Sequence, residues 1–344
     1  MVIAEDVMTH NNQLIFPKGL ILTDKCITRM EFFSIMYVRV EEKLAVLDAE
    51  TETPSYSDRL RETPEFKEFK EVFENDIVSF KSALNDVIEK GAPLEVEKLL
   101  NHTIDLIGTS EGFVNVFDML HSMREQNDLT YVHAVNVALI CNVFARWLML
   151  SPEEIKIATL SGLLHDVGKM KIPEEIINKP DKLTKEEYQI VQKHCQEGYK
   201  ILAPCDLDKG IKNAALMHHE RNDGSGYPYG LVAEKIDFYA KIVSIADVYD
   251  AMTSARIYRG PLCPFMAVAV FEDEGLQKYD TRSIMTFLEN IVNTYLLHRV
   301  RLSNGVEGEV VFINRRHLAK PTIKCGNQFI DLAKHPEIYI EALI

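Results

Sequence analysis

The six cysteines, at positions 26, 141, 195, 205, 263 and 325, form no CxxC pair and keep no regular spacing. That excludes a disulfide framework and fits scattered, mostly buried thiols of a reducing compartment. No basic stretch followed by an apolar run opens the chain, so no secretion leader is expected. A long uninterrupted apolar run is missing too. The most apolar segment, 131–150, carries His133, Asn136, Asn142 and Arg146, too many polar groups for a lipid-facing span of about 20 residues. Positive charge is short as well: 38 Lys+Arg face 52 Asp+Glu, a net charge of −14. A nucleic-acid polymer is thereby excluded as a partner, because such binding rests on many Lys or Arg contacts to phosphate. A local cationic site for a small phosphate compound stays compatible with this balance. These absences lead to the expectation of a cytoplasmic protein that does not engage a membrane.

What is present is ordinary for a soluble globular protein: 47% apolar and 26% charged residues, with no internal repeat and no low-complexity segment. At about 150 residues per domain, 344 residues suggest two domains. Residues 1–45 read as a small α/β segment. Leu14-Ile15-Phe16 and Leu20-Ile21-Leu22 flank Pro17-Lys18-Gly19 as a hairpin would, and 36–40 is strand-like. Residues 46–64 are polar and read as a linker, and 65–112 as a helical connector. Helical periodicity dominates 113–298, and 299–344 turns β-like, with a turn at Ser303-Asn304-Gly305 and a strand at 310–313. The fold class expected is mainly α, a helical bundle with small strand-containing segments at both ends. Ser151-Pro152-Glu153-Glu154 and Thr184-Lys185-Glu186-Glu187 are capping-box starts. The first helix should run to about His165, and the second should carry Tyr188, Val191, His194 and Cys195. Further helices are expected over 211–219 and 238–252.

Each of these helices delivers at least one side chain of metal-ligand type. Six of the eleven histidines fall between 121 and 219. Five have specific contexts: His133 near a helix start, His165 beside Asp166, His194, and the pair His218-His219. Asp247 lies on the next apolar helix. Successive members are 24 to 32 residues apart, one helix plus a loop each time. A bundle can then aim all of them into one interior. Imidazole with carboxylate suits iron, manganese or zinc. Any one of these histidines taken alone could be a core or surface residue, but burying all of them on apolar helices without partners would cost several kcal/mol. His10, His102, His121, His298, His317 and His335 lack this context and are assigned no role.

The string His218-His219-Glu220-Arg221-Asn222-Asp223-Gly224-Ser225-Gly226-Tyr227-Pro228 resembles the HHExxDGxGYP hallmark of the HD-GYP family of bacterial phosphodiesterases, at every fixed position. Upstream, His165-Asp166-Val167-Gly168-Lys169 resembles the family's HDxGK element. The segments around His133 and from Ala246 to Ser254 resemble its first-histidine and last-aspartate motifs. The similarity covers roughly 113–295.

The resemblance implies an HD-type helical domain that hydrolyses cyclic di-GMP to pGpG, with or without a further cut to GMP, with a hydroxide bridging two metal ions as nucleophile. Another cyclic dinucleotide such as cyclic GMP-AMP, or a low-turnover receptor role, is the alternative. The implied ligands of one ion are His133, His165, Asp166 and Asp247. Asp166 bridges to a second ion held also by His194, His218 and His219. Lys169 is placed as a fixed positive charge on the phosphate. Gly226, Tyr227 and Pro228 form a wall of the substrate site and a docking surface for diguanylate cyclase domains. Arg256, Tyr258 and Arg259 resemble a segment that grips phosphate or stacks on guanine, although Ile257 stands where the family has proline. Relatives with three metals carry a glutamate at the position of Leu129, and leucine cannot ligate a metal. Asp128 sits about 140° around a helix from His133 and reads as an N-cap. Two ions are therefore expected, iron first, then manganese or zinc. The C-terminal segment is expected to pack on the helices or to mediate a homodimer.

Overall fold

The structure is a computed structural model. It describes every residue except 1, 9–13, 21, 23–25, 28–29, 31–34, 36–37, 42–55, 91–93, 109–112, 124–128, 178, 180–182 and 255–261.

The N-terminal residues build two small antiparallel pairs, β1 (Val2–Ile3) with β4 (Val40–Glu41) and β2 (Val7–Met8) with β3 (Leu14–Phe16). They surround a core of their own that includes Ile3, Val7, Ile15, Phe16, Cys26, Met30 and Ile35. The turn at Pro17-Lys18-Gly19 forms, with Gly19 at φ 86°. Among the described residues no pairing of the expected hairpin forms across it. Leu14–Phe16 pairs backward with Val7–Met8, and Leu20 accepts from the Ile3 amide instead. A turn signal sets where a chain reverses, and here the Ile3 edge competes successfully for the departing strand.

Inside the expected linker lies α1 (Tyr56–Arg61), and the long α2 (Pro64–Lys90) begins at the linker's last residue. Phe66, Phe69, Phe73, Ile77, Phe80 and Leu84 recur at steps of three and four, so one face of α2 is continuously apolar and buried. With α3 (Val96–Gly108) it packs on the same core as the rest of the bundle, so the 65–112 connector is part of the helical body.

After α4 (Phe113–Ser122) come the two innermost helices, α5 (Leu129–Trp147) and α11 (Phe238–Thr253). Residues 134–145 of α5 and 242–250 of α11 are buried on all sides. A helix apolar all round belongs in the middle of a bundle, where every face finds a partner. Around them pack α6 (Pro152–Leu164) and α10 (Lys209–Met217), with α9 (His194–Leu202) on the outer side of α10. Both capping boxes form: Ser151 accepts from the Glu154 amide and Thr184 from the Glu187 amide, while each glutamate accepts from the cap's own amide. The helix from Thr184 does not continue through His194 as expected. It is α8 (Lys185–Gln192), following the one-turn α7 (Glu174–Ile177), and it breaks at Lys193, whose amide reaches both Ile190 and Val191 carbonyls.

Two more helices, α12 (Pro264–Glu274) and α13 (Thr281–Thr294), lead into an antiparallel five-stranded sheet. Its strands are β5 (Arg299–Leu302), β6 (Glu307–Phe312), β7 (Thr322–Cys325), β8 (Gln328–Asp331) and β9 (Ile340–Leu343), in spatial order β8-β7-β6-β5-β9. Val300, Leu302, Val310, Ile323 and Ile340 alternate onto one face and join the helical core. None of the six cysteines is in a disulfide. Among the described residues no helix is long and apolar enough to cross a membrane.

Candidate metal centre

The ends and middles of five helices converge on one point. His133 stands in the second turn of α5, and Asp247 faces it from α11. His165 caps the C-terminus of α6, and Asp166 opens the 3-10 turn Val167–Lys171. His194 is the first residue of α9, directly after the irregular turn at Lys193. His218 caps the C-terminus of α10, and His219 follows it. Neighbouring residues on a continuous helix diverge by about 100°. The helix end lets this pair face the same side, with ring centroids 4.1 Å apart.

Asp166 is the hub. Its Oδ1 lies 3.4 Å from His194 Nε2 and 3.7 Å from His218 Nε2. Its Oδ2 lies 3.3 Å from His165 Nε2 and 3.8 Å from His133 Nε2, and it pairs with Lys169 Nζ. One carboxylate thus presents its two oxygens to two different sets of imidazoles. His133 Nε2 is also 3.0 Å from Asp247 Oδ1. His165, Asp166, His194 and His218 are at most 3% exposed, whereas His133 keeps 17% and Asp247 12%. The cluster is therefore closed around His194 and His218 and reachable past His133, Asp247 and the partly exposed Lys169.

The ring orientations are set from behind. His165 Nδ1 donates to the Gly162 carbonyl (2.7 Å), His194 Nδ1 to Val191 (2.6 Å) and His218 Nδ1 to Ala214 (3.0 Å). His133 Nδ1 donates to Asp250 Oδ2 at 2.6 Å. In a neutral ring, a proton fixed on Nδ1 leaves the Nε2 lone pair pointing into the cluster, as on His194 and His218, the arrangement of metal-ligating histidines. Two of these lone pairs, on His194 and His218, meet at 3.2 Å, and neither carries a proton to share. His165 Nε2 and Asp166 Oδ1 are buried without any hydrogen-bond partner. Facing acceptors and orphaned buried acceptors are costly unless a cation sits among them. The donor set fits divalent metal.

Electrostatics agree with that for three of the rings. Burial pushes His194 down to about 4 and holds His218 and His219 well below the ordinary histidine range, so all three are neutral. Burial opposes charge on His133 as well, but hydrogen bonds to Asp247 and Asp250 outweigh it and raise His133 to about 9. Burial would lift Asp166, yet Lys169 and His165 keep it well below the usual carboxylate range. The His133 hydrogen bond does the same for Asp247.

Three overlapping groups have ligand atoms within 4.8 Å of one another: His133, His165 and Asp247; His165, Asp166 and His218; His194, Cys195, His218 and His219. All seven residues singled out as ligands are thus brought together. Arg256, Tyr258, Arg259 and Asp128 lie outside the described residues, as does the side chain of Leu129. Tyr227 stacks on His219 with centroids 4.5 Å apart and stands edge-on to Tyr188, so its ring braces an imidazole of the cluster. Gly226 passes so close to the His219–Arg221 backbone that a Cβ would strike the His219 carbonyl and the Arg221 amide. The sequence reasoning missed the residues that support this loop and His133. Glu220 accepts from the Tyr229 and Leu231 amides, both at 2.8 Å. Arg221 ties the His218 carbonyl to Ser244 Oγ. Asp250, three residues after Asp247 and so on the same helix face, gave the one usable signal.

Residues 112–282 match the HD domain family. A cyclic di-GMP phosphodiesterase of Pseudomonas aeruginosa is 34% identical over 228 residues, which cover 65% of this chain and 55% of that one. A 3'3'-cGAMP-specific phosphodiesterase of Vibrio cholerae is 40% identical over 156 residues, covering 45% of this chain and 36% of the relative. A cyclic di-GMP phosphodiesterase response regulator of Xanthomonas campestris is 39% identical over 152 residues, covering 43% and 40%. The chain thus spans about half or less of the length of these curated relatives. Among solved structures, an HDGYP protein from Bdellovibrio bacteriovorus shares the fold, with a TM-score of 0.55 at 16% identity over 85% of this chain and 95% of that one. With the cluster, the hallmark loop and these matches in place, the chain carries an HD domain across residues 112–282, similar to those of cyclic dinucleotide phosphodiesterases.

Proposed function

We propose that the protein is a metal-dependent phosphodiesterase that opens cyclic di-GMP to pGpG, with GMP as the product of any second cut, acting in the cytoplasm. The observation that carries this reading is the convergence of four Nδ1-anchored imidazoles on the two oxygens of Asp166. His133, His165, Asp166 and Asp247 would hold one ion and Asp166, His194, His218 and His219 a second, iron before manganese or zinc. Two divalent ions supply Lewis acidity, lowering the pKa of a water and offsetting charge on the phosphate and the departing sugar oxygen. Leucine at 129 argues for two ions; three metals in anomalous scattering from loaded protein would sink that count.

The chain's own residues do the rest. The opening past His133 and Asp247 is where a phosphodiester enters. Lys169, held there by Asp166, carries the positive charge that meets a phosphate oxygen. Asp250 keeps the proton of His133 on Nδ1, and Tyr227 fixes the plane of His219. Arg256, Tyr258 and Arg259 are assigned to the nucleotide from sequence, and the Gly226-Tyr227-Pro228 loop to diguanylate cyclase domains; a homodimer through the C-terminal sheet belongs to the same reading.

The relatives named for cGAMP give a second reading, cleavage of cyclic GMP-AMP, some weight. Metal-loaded, reduced protein incubated with each cyclic dinucleotide and analysed by chromatography separates the two. Production of pGpG at the higher kcat/KM from cyclic di-GMP is expected. Absence of turnover with every cyclic dinucleotide under iron and manganese loading would refute the enzyme and leave a receptor.

A further inference from the structure

Cys195 is wholly buried, and nothing in the reading above uses it. It follows His194 at the start of α9, and its Sγ lies 3.4 Å from His194 Nε2. That nitrogen also faces His218 Nε2 at 3.2 Å and Asp166 Oδ1 at 3.4 Å. Since His194 Nδ1 holds its proton against the Val191 carbonyl, Nε2 has only a lone pair to offer. A thiol could donate to it, but that single proton cannot also satisfy the His218 nitrogen and Asp166 Oδ1, a buried oxygen without a hydrogen-bond partner aimed at the same place. A cation satisfies all of them at once.

The spacing fits donors bound to one ion. Bonds of about 2.0–2.1 Å to nitrogen and about 2.3 Å to sulfur, at angles of about 90–110°, put two nitrogens about 2.9–3.4 Å apart and nitrogen and sulfur about 3.1–3.5 Å apart. The observed edges are 3.2 Å and 3.4 Å. The ligand atoms of His194, Cys195, His218 and His219 all lie within 4.8 Å of one another.

We infer that Cys195 is a thiolate ligand of the ion at the His194–His218–His219 position, where it biases the site toward zinc or iron(II) and against manganese. Thiolate is a soft donor, and a site that adds it to three imidazoles discriminates against harder cations that favour oxygen. On binding, the sulfur–metal bond replaces the S–H bond and the proton leaves to solvent. The inference rests on the metal-centre part of the proposed function and is independent of the substrate.

Cobalt(II) substitution of the full-length metal-free protein tests it. Wild type is expected to show visible d–d bands together with a near-ultraviolet thiolate-to-cobalt charge-transfer band. Cys195→Ser should keep the d–d bands and lose the charge-transfer band, while Cys141→Ala, the control for a second buried thiol, keeps both. Zinc affinity in chelator competition should fall at least tenfold in C195S, and manganese affinity far less. Cobalt uptake by wild type without the charge-transfer band, or a band that survives in C195S, overturns the inference; no uptake at all overturns the metal centre with it. Should C195S not fold, X-ray absorption of zinc-loaded wild type decides. A sulfur scatterer at about 2.3 Å supports the ligand, and a shell of nitrogen and oxygen alone refutes it. Cobalt bound through sulfur in a protein that cleaves no cyclic dinucleotide would leave this inference standing and remove only the proposed activity.

Discussion

Asp250 shows how much of the centre depends on side chains that never face it. Its Oδ2 accepts the His133 Nδ1 proton, while Oδ1 accepts from Asn136 Nδ2 at 2.9 Å and from Ser254 Oγ. Asparagine at this position would offer an amide group to one of those donors and free the His133 ring to take the other tautomer. Asp250→Asn is expected to lower metal affinity about 10- to 100-fold with the fold intact; titration with a chromophoric chelator beside a thermal melt reads both. An unchanged affinity would mean that the ring is oriented by packing alone. Residues of this kind separate what the sequence discloses from what it hides. The seven ligand candidates were legible because a metal centre admits few residue types and the bundle spaces them one per helix. Asp250, Glu220 and Cys195 were not, because their work lies in where a proton, an amide or a sulfur points, and that is set by neighbours distant in the chain.

At the scale of elements, the helix starts were readable and one helix break was not. Ser151 and Thr184 cap the helices assigned to them, since a capping box is satisfied within four residues. The irregularity at Lys193 has no local signal in composition, and the α9 start after it lies against the turn after Asp166. Gly168 marks that contact: a Cβ there would run into the His194 carbonyl and the Gly198 amide, both backbone atoms that cannot step aside cheaply. Gly168→Ala should therefore cost about 1–3 kcal/mol in urea denaturation. It should also displace His194, weakening metal binding beyond what the stability loss explains. A variant as stable as wild type would show that the 3-10 turn and α9 are not tightly apposed. The N-terminal strands follow the same logic in reverse. Their turn was legible, but strands of two or three residues take their partners from whichever edge the rest of the fold presents.

Across the whole molecule, the least legible fact is that the helices of 56–108 and the C-terminal sheet share one core with the bundle, because periodicity reveals an apolar face and not its partner. Asp118 on α4 is where they meet in polar terms. It is buried, accepts from Tyr56 Oη of α1 at 2.9 Å, and stands 3.5 Å from His298 Nε2 at the entrance to the C-terminal sheet. The rings of Tyr56 and Tyr295 also face His298, and Asp118 is the charge it meets. The hydrogen bond to Asp118 raises the His298 pKa, and burial only partly opposes it. A histidine whose pKa is higher folded than unfolded binds its proton more tightly in the native state. Its stabilising contribution is complete below the unfolded value of about 6.5 and is lost as pH rises through the higher folded value. His298→Gln should accordingly be less stable than wild type under mildly acidic conditions, with the gap in urea midpoint narrowing as pH climbs above that value. A gap independent of pH, or one that widens toward alkaline pH, would show that His298 joins the sheet to the helices by packing and not by charge.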